Sequence, residues 1–249
     1  MIEIGRSKRA AVVYGFDDIA IVPTRRTRTP SDVNLTWSID ALSFEFPLVA
    51  APMDSVMSPA TAIEFGKLGG LGVLNLEGLW TRYEDPTDLF AELAAISDPI
   101  KATRRLQAIY AEPVKGELIA ARMKEIRDAG VPVAGSLSPQ RTREFASIVE
   151  KAGVDFFVIR GTTVSAEHVA TSEEPLNLKE FIYALDVPVI VGGCATYQAA
   201  LHLMRTGAAG VLVGARRPLE PAHSLDRGFW HGAGRHGAGR HGARRHAAR

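Results

Sequence analysis

The chain has 249 residues, of which 46% are hydrophobic and 23% are charged. This composition is typical of a globular protein, and the length suits one α/β-barrel domain or two smaller domains. The formal net charge of +1 conceals an asymmetry, because residues 215–249 carry eight arginines and only two acidic residues. The first 214 residues are therefore mildly acidic, which argues against a specific nucleic-acid or membrane-binding face.

Cysteine content and the opening residues predict a cytoplasmic protein. Cys194 is the single cysteine, which excludes an intrachain disulfide and is consistent with a reducing compartment. Residues 1–18 contain no apolar segment of signal-peptide length, and no run of about 18 apolar residues occurs in the sequence. We therefore expect a soluble cytoplasmic protein with no membrane partner.

Short apolar runs rich in β-branched residues recur along the first 214 residues. They lie at 46–52, 71–76, 131–137, 154–161, 187–193 and 209–214. Because each run is apolar at successive positions, both faces are expected to be buried, as in parallel strands covered by helices.

Segments with helical spacing separate these runs. The clearest is 138–153, with Ser138 as the N-cap, Pro139 in the first turn and Gly153 as the C-cap. Helices are also predicted at 58–70, 116–130 and 195–208, and two extra helices are predicted from about Pro86 and about Pro99. Repeated strand–helix units favour a (β/α)8 TIM barrel, with only about six of the eight units present. A doubly wound sheet also fits this repetition, but no GxGxxG motif follows the first strand.

Three motifs near the N-terminus occur in a characteristic order. "GFDDIAIVP" spans 15–23, "FPLVAAPMDSV" spans 46–56 and "GKLGGLGVLNLEG" spans 66–78. Together with "AGVDFFVIRGTT", "PVIVGGCAT" and "GAAGVLVG", this order resembles the IMP dehydrogenase / GMP reductase family over residues 12–214. No CBS-domain insert separates the second and third strands, so the chain resembles a compact branch of that family.

The resemblance implies a (β/α)8 oxidoreductase that acts at C2 of a purine nucleoside monophosphate with NAD or NADP. Met53 matches a methionine that packs near the purine, and Gly192 and Gly193 match a diglycine near the nucleotide. Gly214 ends the last matching strand and is also assigned to substrate binding. Thr162 and Thr163 lie in the stretch that faces the nicotinamide cofactor in the family.

Several positions depart from the family pattern. Ala51 replaces a nucleotide-binding serine, Cys194 replaces an asparagine, and Arg160 replaces an aspartate, which puts recognition of the NAD ribose in doubt. The family's nucleophilic cysteine follows the sixth strand, whereas Cys194 follows the fifth. Cys194 is therefore interpreted as buried packing, Asp54 as a residue that braces loop backbone, and no catalytic residue is assigned.

The sequence after Gly214 lacks the apolar runs of the preceding units. Its last 19 residues use only His, Gly, Ala and Arg, with histidines at 231, 236, 241 and 246. Histidines five residues apart do not share a helical face, and arginines flank them, so no specific metal site is expected. We interpret residues 1–214 as an incomplete TIM-barrel domain and residues 215–249 as a disordered tail, produced by truncation or a change of reading frame after about Gly214.

The resulting functional hypothesis has two parts. The resemblance implies a purine-nucleotide oxidoreductase of GMP biosynthesis, and the 249-residue chain is expected to have little or no turnover. The reason is that the family's catalytic loop and phosphate-binding strands are not recognisable after Gly214. The alternative is a non-catalytic pseudoenzyme or assembly partner of a full-length homologue. A homo-oligomer is also expected, because family members commonly form tetramers.

Overall fold

The structure is a computed structural model that describes residues 2–3, 9–10, 14, 19–22, 25–161, 164–166 and 176–214. The chain divides into two compact units, one formed by residues 1–22 with 230–249 and the other by residues 23–229. In the first unit, β1 (Ile2–Glu3) pairs antiparallel with β2 (Arg9–Ala10). The predicted tail at 215–249 lies outside the described residues, as does the whole "GFDD" segment at 15–18.

The second unit contains a six-stranded parallel sheet in which neighbours in sequence are neighbours in space. Its strands are β5 (Val49–Ala50), β6 (Leu71–Asn75), β7 (Ala134–Leu137), β8 (Phe156–Arg160), β9 (Val189–Cys194) and β10 (Gly210–Val213). Every pair is parallel. This sequential order is that of a partial (β/α)8 barrel, so the predicted fold class and all six predicted strands are confirmed.

Helices connect the strands, as the sequence pattern predicts. They are α1 (Pro59–Lys67), α2 (Thr87–Ala95), α3 (Pro99–Ile109), α4 (Gly116–Asp128), α5 (Pro139–Ala152), α6 (Leu178–Tyr183) and α7 (Tyr197–Met204). The two extra helices before α4 correspond to α2 and α3. Gly153 ends α5 in the left-handed conformation, with φ of 73°, which is the conformation that favours glycine at this position. No helix in the described part of the chain is long and apolar enough to cross a membrane.

Apolar residues form two clusters on opposite faces of the sheet. The larger cluster lies between the sheet and the helices and includes Leu74, Phe157 and Val191 from the strands. The smaller cluster lies on the inner face and includes Val73 and Phe156. The alternation of neighbouring strand residues between the two clusters follows from the two-residue period of a β-strand.

A β-hairpin packs against the start of the sheet on its inner face. It consists of β3 (Trp37–Ile39) and β4 (Leu42–Phe44), paired antiparallel. The rings of Trp37 and Phe44 stack with centroids 4.9 Å apart, and the Phe44 ring lies 6.1 Å from that of Phe156, the first residue of β8. The hairpin therefore covers the amino ends of the strands.

The hairpin contact gives a testable contribution to stability. Phe44 is buried, so Phe44→Ala is expected to lower the free energy of unfolding by about 3 kcal/mol, through lost burial and an unfilled cavity. The control is Val56→Ala, which truncates a side chain that is 50% exposed and should change stability by less than about 0.5 kcal/mol. Urea unfolding measures both. Equal effects of the two substitutions would contradict the packing of the hairpin on the sheet.

Candidate active site at the carboxyl ends of the strands

The inner face of the sheet changes from apolar to polar at the last inward position of three neighbouring strands. The inward residues are Leu71, Val73 and Asn75 on β6, Ala134 and Ser136 on β7, and Phe156, Val158 and Arg160 on β8. Asn75 pairs with Ser136 in the sheet register. Asn75, Ser136 and Arg160, which we call the polar layer, therefore form a floor above the apolar interior, at the end of the barrel where such folds bind ligands.

Arg160 is the charged member of the polar layer. Its Nε lies 3.4 Å from Oγ of the fully buried Ser136, and its backbone lies beside Gly192 of β9. Burial lowers the pKa of the guanidinium, and the carboxylates of Glu77 and Asp54 act in the opposite direction. The guanidinium remains protonated near neutral pH, because the ordinary arginine pKa is far above 7.

Asp54 braces one side of the site through three donors. Its carboxylate accepts hydrogen bonds from Asn75 Nδ2 at 3.1 Å, from the backbone N–H of Leu79 at 2.8 Å and from the hydroxyl of Tyr110. Burial raises the pKa of Asp54, while these donors and Arg160 lower it. The carboxylate joins the turn after β5 to the end of β6 and to the residue that follows α3. This geometry agrees with the role in loop bracing that the sequence analysis assigned to Asp54.

Gly78 provides the space for this carboxylate. A Cβ atom at position 78 would lie 1.9 Å from Oδ1 of Asp54, which no side chain can accommodate without displacing the carboxylate. Tyr110 is held in turn by Arg82, whose guanidinium lies 5.3 Å from the centre of the tyrosine ring and donates to the Tyr110 carbonyl. The position of the Asp54 carboxylate therefore depends on the missing side chain of Gly78 and, through Tyr110, on the cation–π contact with Arg82.

Glu77 links β6 to the start of α5. Its side-chain carboxylate accepts a hydrogen bond from the backbone N–H of Ser138, the N-cap residue of that helix. The first N–H groups of a helix have no partner within the helix, and the helix dipole also favours an acidic side chain there. Ser138 occupies the predicted N-cap position, but its own side chain makes no capping hydrogen bond, and Glu77 supplies a partner instead.

The predicted glycines lie at the ends of β9 and β10. Gly192 accepts a hydrogen bond from the N–H of Gly161 at 2.9 Å, and Gly193 donates to the carbonyl of Gly161 at 3.1 Å. A Cβ atom at Gly192 would lie 2.5 Å from Cβ of Leu212, so the close approach of β9 and β10 requires glycine. The N–H of Gly214 donates to the carbonyl of Cys194 at 2.7 Å. The structure thus groups the diglycine and Gly214 at the same edge as the polar layer.

Of the other three binding residues predicted from the sequence, the structure describes Met53 but not Thr162 and Thr163. Met53 lies half-buried in the turn after β5, where its carbonyl accepts from the backbone N–H groups of Val56 and Met57. Thr162 and Thr163, predicted to face the cofactor, lie outside the described residues. Their neighbour Gly161 is described, and it joins the ends of β8 and β9.

Cys194 faces away from the polar layer. Its side chain is fully buried and belongs to the cluster between the sheet and the helices. Its Sγ lies 3.6 Å from the carbonyl of Leu212, and burial raises the pKa of the thiol. Since the thiolate is the nucleophilic form, this environment disfavours attack on a substrate.

The sequence analysis did not select Asn75, Ser136 or Tyr110. The first two have a recognisable signal, because each is a polar residue at the last inward position of an otherwise apolar strand. Tyr110 has no such signal. It follows α3 in the chain, and only the folded structure shows that its hydroxyl reaches a carboxylate 56 residues earlier in the sequence.

Comparison with known proteins agrees with the fold. Residues 13–216 match the model of the IMP dehydrogenase / GMP reductase domain. The chain therefore belongs to the IMP dehydrogenase / GMP reductase family, as its motifs predict.

Similar proteins are found in several actinobacteria. An uncharacterized oxidoreductase of Mycobacterium tuberculosis is 50% identical over 218 residues, which cover 86% of this chain and 58% of the relative. An IMP dehydrogenase/GMP reductase-like protein of Corynebacterium glutamicum has a crystal structure that matches with a TM-score of 0.81 and 48% identity. That match covers 93% of this chain and 61% of the other. The inosine-5'-monophosphate dehydrogenase of Streptococcus pyogenes is 26% identical over 173 residues, which cover 67% of this chain and 33% of that enzyme. The chain thus spans less than two thirds of these relatives.

The buried carboxylate of Asp54 predicts a specific pH dependence of stability. Its folded-state pKa is raised, so the folded state holds the proton more tightly than the unfolded state. This contribution to the free energy of unfolding is present at acidic pH. It is lost as the pH rises from about 4, the unfolded value, through the raised folded value. Asp54→Asn should lack this loss, and urea unfolding at a series of pH values measures it.

Glu64→Gln is the matched control, because Glu64 is exposed on α1 and, among the described residues, its carboxylate pairs with Lys67 alone. This variant should retain the pH dependence of the unmodified protein over the same range. An identical pH dependence in the Asp54→Asn variant would show that burial does not shift the titration of Asp54.

Proposed function

We propose that this chain derives from an oxidoreductase that acts on a purine nucleoside monophosphate with a nicotinamide cofactor. The observation that carries the proposal is the polar layer of Asn75, Ser136 and Arg160 at the carboxyl ends of adjacent strands, in a fold matched by the family model. Ligand-binding groups of (β/α)8 enzymes lie at this end of the barrel. Gly192, Gly193 and Gly214 lie at the same edge, and their backbone is proposed to contact the nucleotide. Met53 is proposed to contact the purine.

The donor set at the polar layer suits a phosphate-bearing cofactor. Arg160 and Ser136 offer N–H and O–H donors, and an arginine carries no acceptor for ribose hydroxyls. NAD or NADP, when bound, accepts or supplies a hydride. The protein's contribution is to orient the nucleotide on the polar layer, while Asp54 fixes the loop that holds Met53. Thr162 and Thr163 are proposed to lie along the cofactor.

We further propose that the 249-residue chain has little or no turnover. The covalent route of the family requires a reactive thiolate, and the single cysteine of this sequence is buried behind the sheet. The family match ends at residue 216, and no strand-like run follows Gly214 in the sequence. The substrate's phosphate therefore lacks the binding segments that the family resemblance places after the sixth strand.

A chimera tests the proposal. Residues 1–214 are fused to the segment of the Corynebacterium glutamicum protein that follows its matched region, and absorbance at 340 nm is monitored with IMP and NAD or with GMP and NADPH. We expect turnover with one of these pairs, and turnover at least about 100-fold lower in the 249-residue chain, because it lacks a positioned nucleophile. Cys194→Ala in the chimera is the control and should leave turnover unchanged.

Three results would each contradict one part of this account. A folded chimera with no activity on any purine nucleotide would contradict the proposed reaction. Rapid turnover by the 249-residue chain itself would contradict the proposed loss of activity. Abolition of turnover by Cys194→Ala would show that the assignment of Cys194 to packing is wrong.

The second candidate function is assembly with a longer member of the family. β10 is less buried than its neighbour β9, and Val213 is 65% exposed at its end. Tyr197 and Met204 on α7, the helix that contacts β10, are also exposed. An apolar surface beside a strand edge is typical of an interface. The proposed occupant is a longer relative of this chain.

Light scattering coupled to size-exclusion chromatography tests this second candidate. The protein is mixed with the Corynebacterium glutamicum relative, and a complex with the summed mass of both chains is expected. Val213→Asp should abolish the complex because it places a charge in the apolar contact. Leu68→Asp, at an equally exposed apolar residue elsewhere on the surface, should not. Elution of the two proteins at their separate masses would contradict an assembly role.

A further inference from the structure

Arg160 has terminal nitrogens that bind no described residue. The single hydrogen bond of its side chain within the described part of the chain is the long contact from Nε to Ser136. No carboxylate among the described residues lies within 4.0 Å of its guanidinium nitrogens. Within the described residues, the two Nη groups of this half-buried cation therefore have no hydrogen-bond or ion-pair partner.

The two nearest carboxylates are engaged by other donors. Asp54 accepts hydrogen bonds from Asn75, Leu79 and Tyr110, and Glu77 accepts one from the backbone at the start of α5. Their attraction does not offset the burial of Arg160, whose pKa remains below its ordinary value. The positive charge is therefore incompletely compensated within the described site.

We propose that Arg160 binds a phosphate oxygen of the nucleotide ligand and thereby determines which nucleotides this site accepts. This inference rests on the proposed function, because it assumes a nucleotide at this mouth. The planar guanidinium presents paired N–H donors that match phosphate geometry, and Ser136 fixes the plane through Nε. An aspartate at this position would accept hydrogen bonds from ribose hydroxyls and repel a phosphate. An arginine instead attracts phosphate and cannot accept a hydrogen bond from a hydroxyl.

Binding measurements on the intact 249-residue protein test the role of Arg160. Isothermal titration is performed with IMP, inosine, NAD and NADP on the unmodified protein and on the Arg160→Gln, Arg160→Lys and Arg141→Gln variants. Arg141 is a half-buried arginine on α5 whose guanidinium pairs with Glu144, so its variant is the matched control. Arg160→Gln should lower the affinity for the phosphate-bearing ligand about tenfold or more, since a charge-assisted hydrogen bond is lost. Arg160→Lys should lower this affinity by a smaller factor, and Arg141→Gln should leave it unchanged.

The ligand series identifies the source of the phosphate. If Arg160→Gln lowers the affinity for IMP but not for inosine, the contact is with the monophosphate of the substrate. If the substitution lowers the affinity for NADP or NAD but not for IMP, the contact is with a phosphate of the cofactor. Equal affinities of the unmodified protein and the Arg160→Gln variant for every phosphate-bearing ligand would overturn the inference.

A second measurement separates this inference from the proposed function. If no nucleotide binds the unmodified protein, the proposed function fails for this chain, and inorganic pyrophosphate then serves as the probe. Modification of arginines by phenylglyoxal is followed by peptide mass mapping, with and without pyrophosphate. We expect pyrophosphate to slow modification of Arg160 about fivefold or more by occupying its terminal nitrogens, with Arg141 unaffected. Modification of Arg160 at the same rate in both samples would overturn the inference without reference to nucleotides.

Discussion

The carboxylate of Asp54 is the interaction on which the organisation of the site depends. It receives donors from the end of β6, from the turn that follows it and from the residue after α3, so that one side chain joins its own loop to two segments distant in sequence. Burying a carboxylate is unfavourable unless donors replace the lost water, and the three donors supply part of that replacement. The loop carrying Met53 is positioned as a consequence.

The position of the site follows from the sheet topology. Because all six strands are parallel and lie in sequence order, their carboxyl ends meet at one edge. The β3–β4 hairpin covers the opposite edge with aromatic side chains. On the inner face, the exchange of apolar for polar residues at Asn75, Ser136 and Arg160 marks where packing ends and ligand contact is proposed to begin.

The sequence predicts much of the fold because the fold repeats one local unit. Each buried strand is a short apolar run, and boundary residues such as Pro139 and Gly153 delimit α5 through backbone preferences that are local in sequence. The site is less predictable because its contacts are long-range. The PMD motif identified Asp54 as a bracing residue, but its partner Tyr110 comes from the segment of the two extra helices, which carries no motif. The N-terminus of α5 is a second example. Ser138 is the N-cap residue, as expected, but the side chain that accepts a hydrogen bond at this helix end is that of Glu77, 61 residues earlier in the sequence.

The central claim is that the polar layer at the carboxyl ends of β6, β7 and β8 is the floor of a nucleotide site. Backbone amide NMR of the 249-residue protein during titration with IMP tests this claim most directly. The account predicts that the shifted resonances cluster at Asn75, Ser136, Arg160 and the glycines at the ends of β9 and β10. Shifts confined to the β3–β4 hairpin and the amino ends of the strands, or no shifts at millimolar IMP, would contradict it.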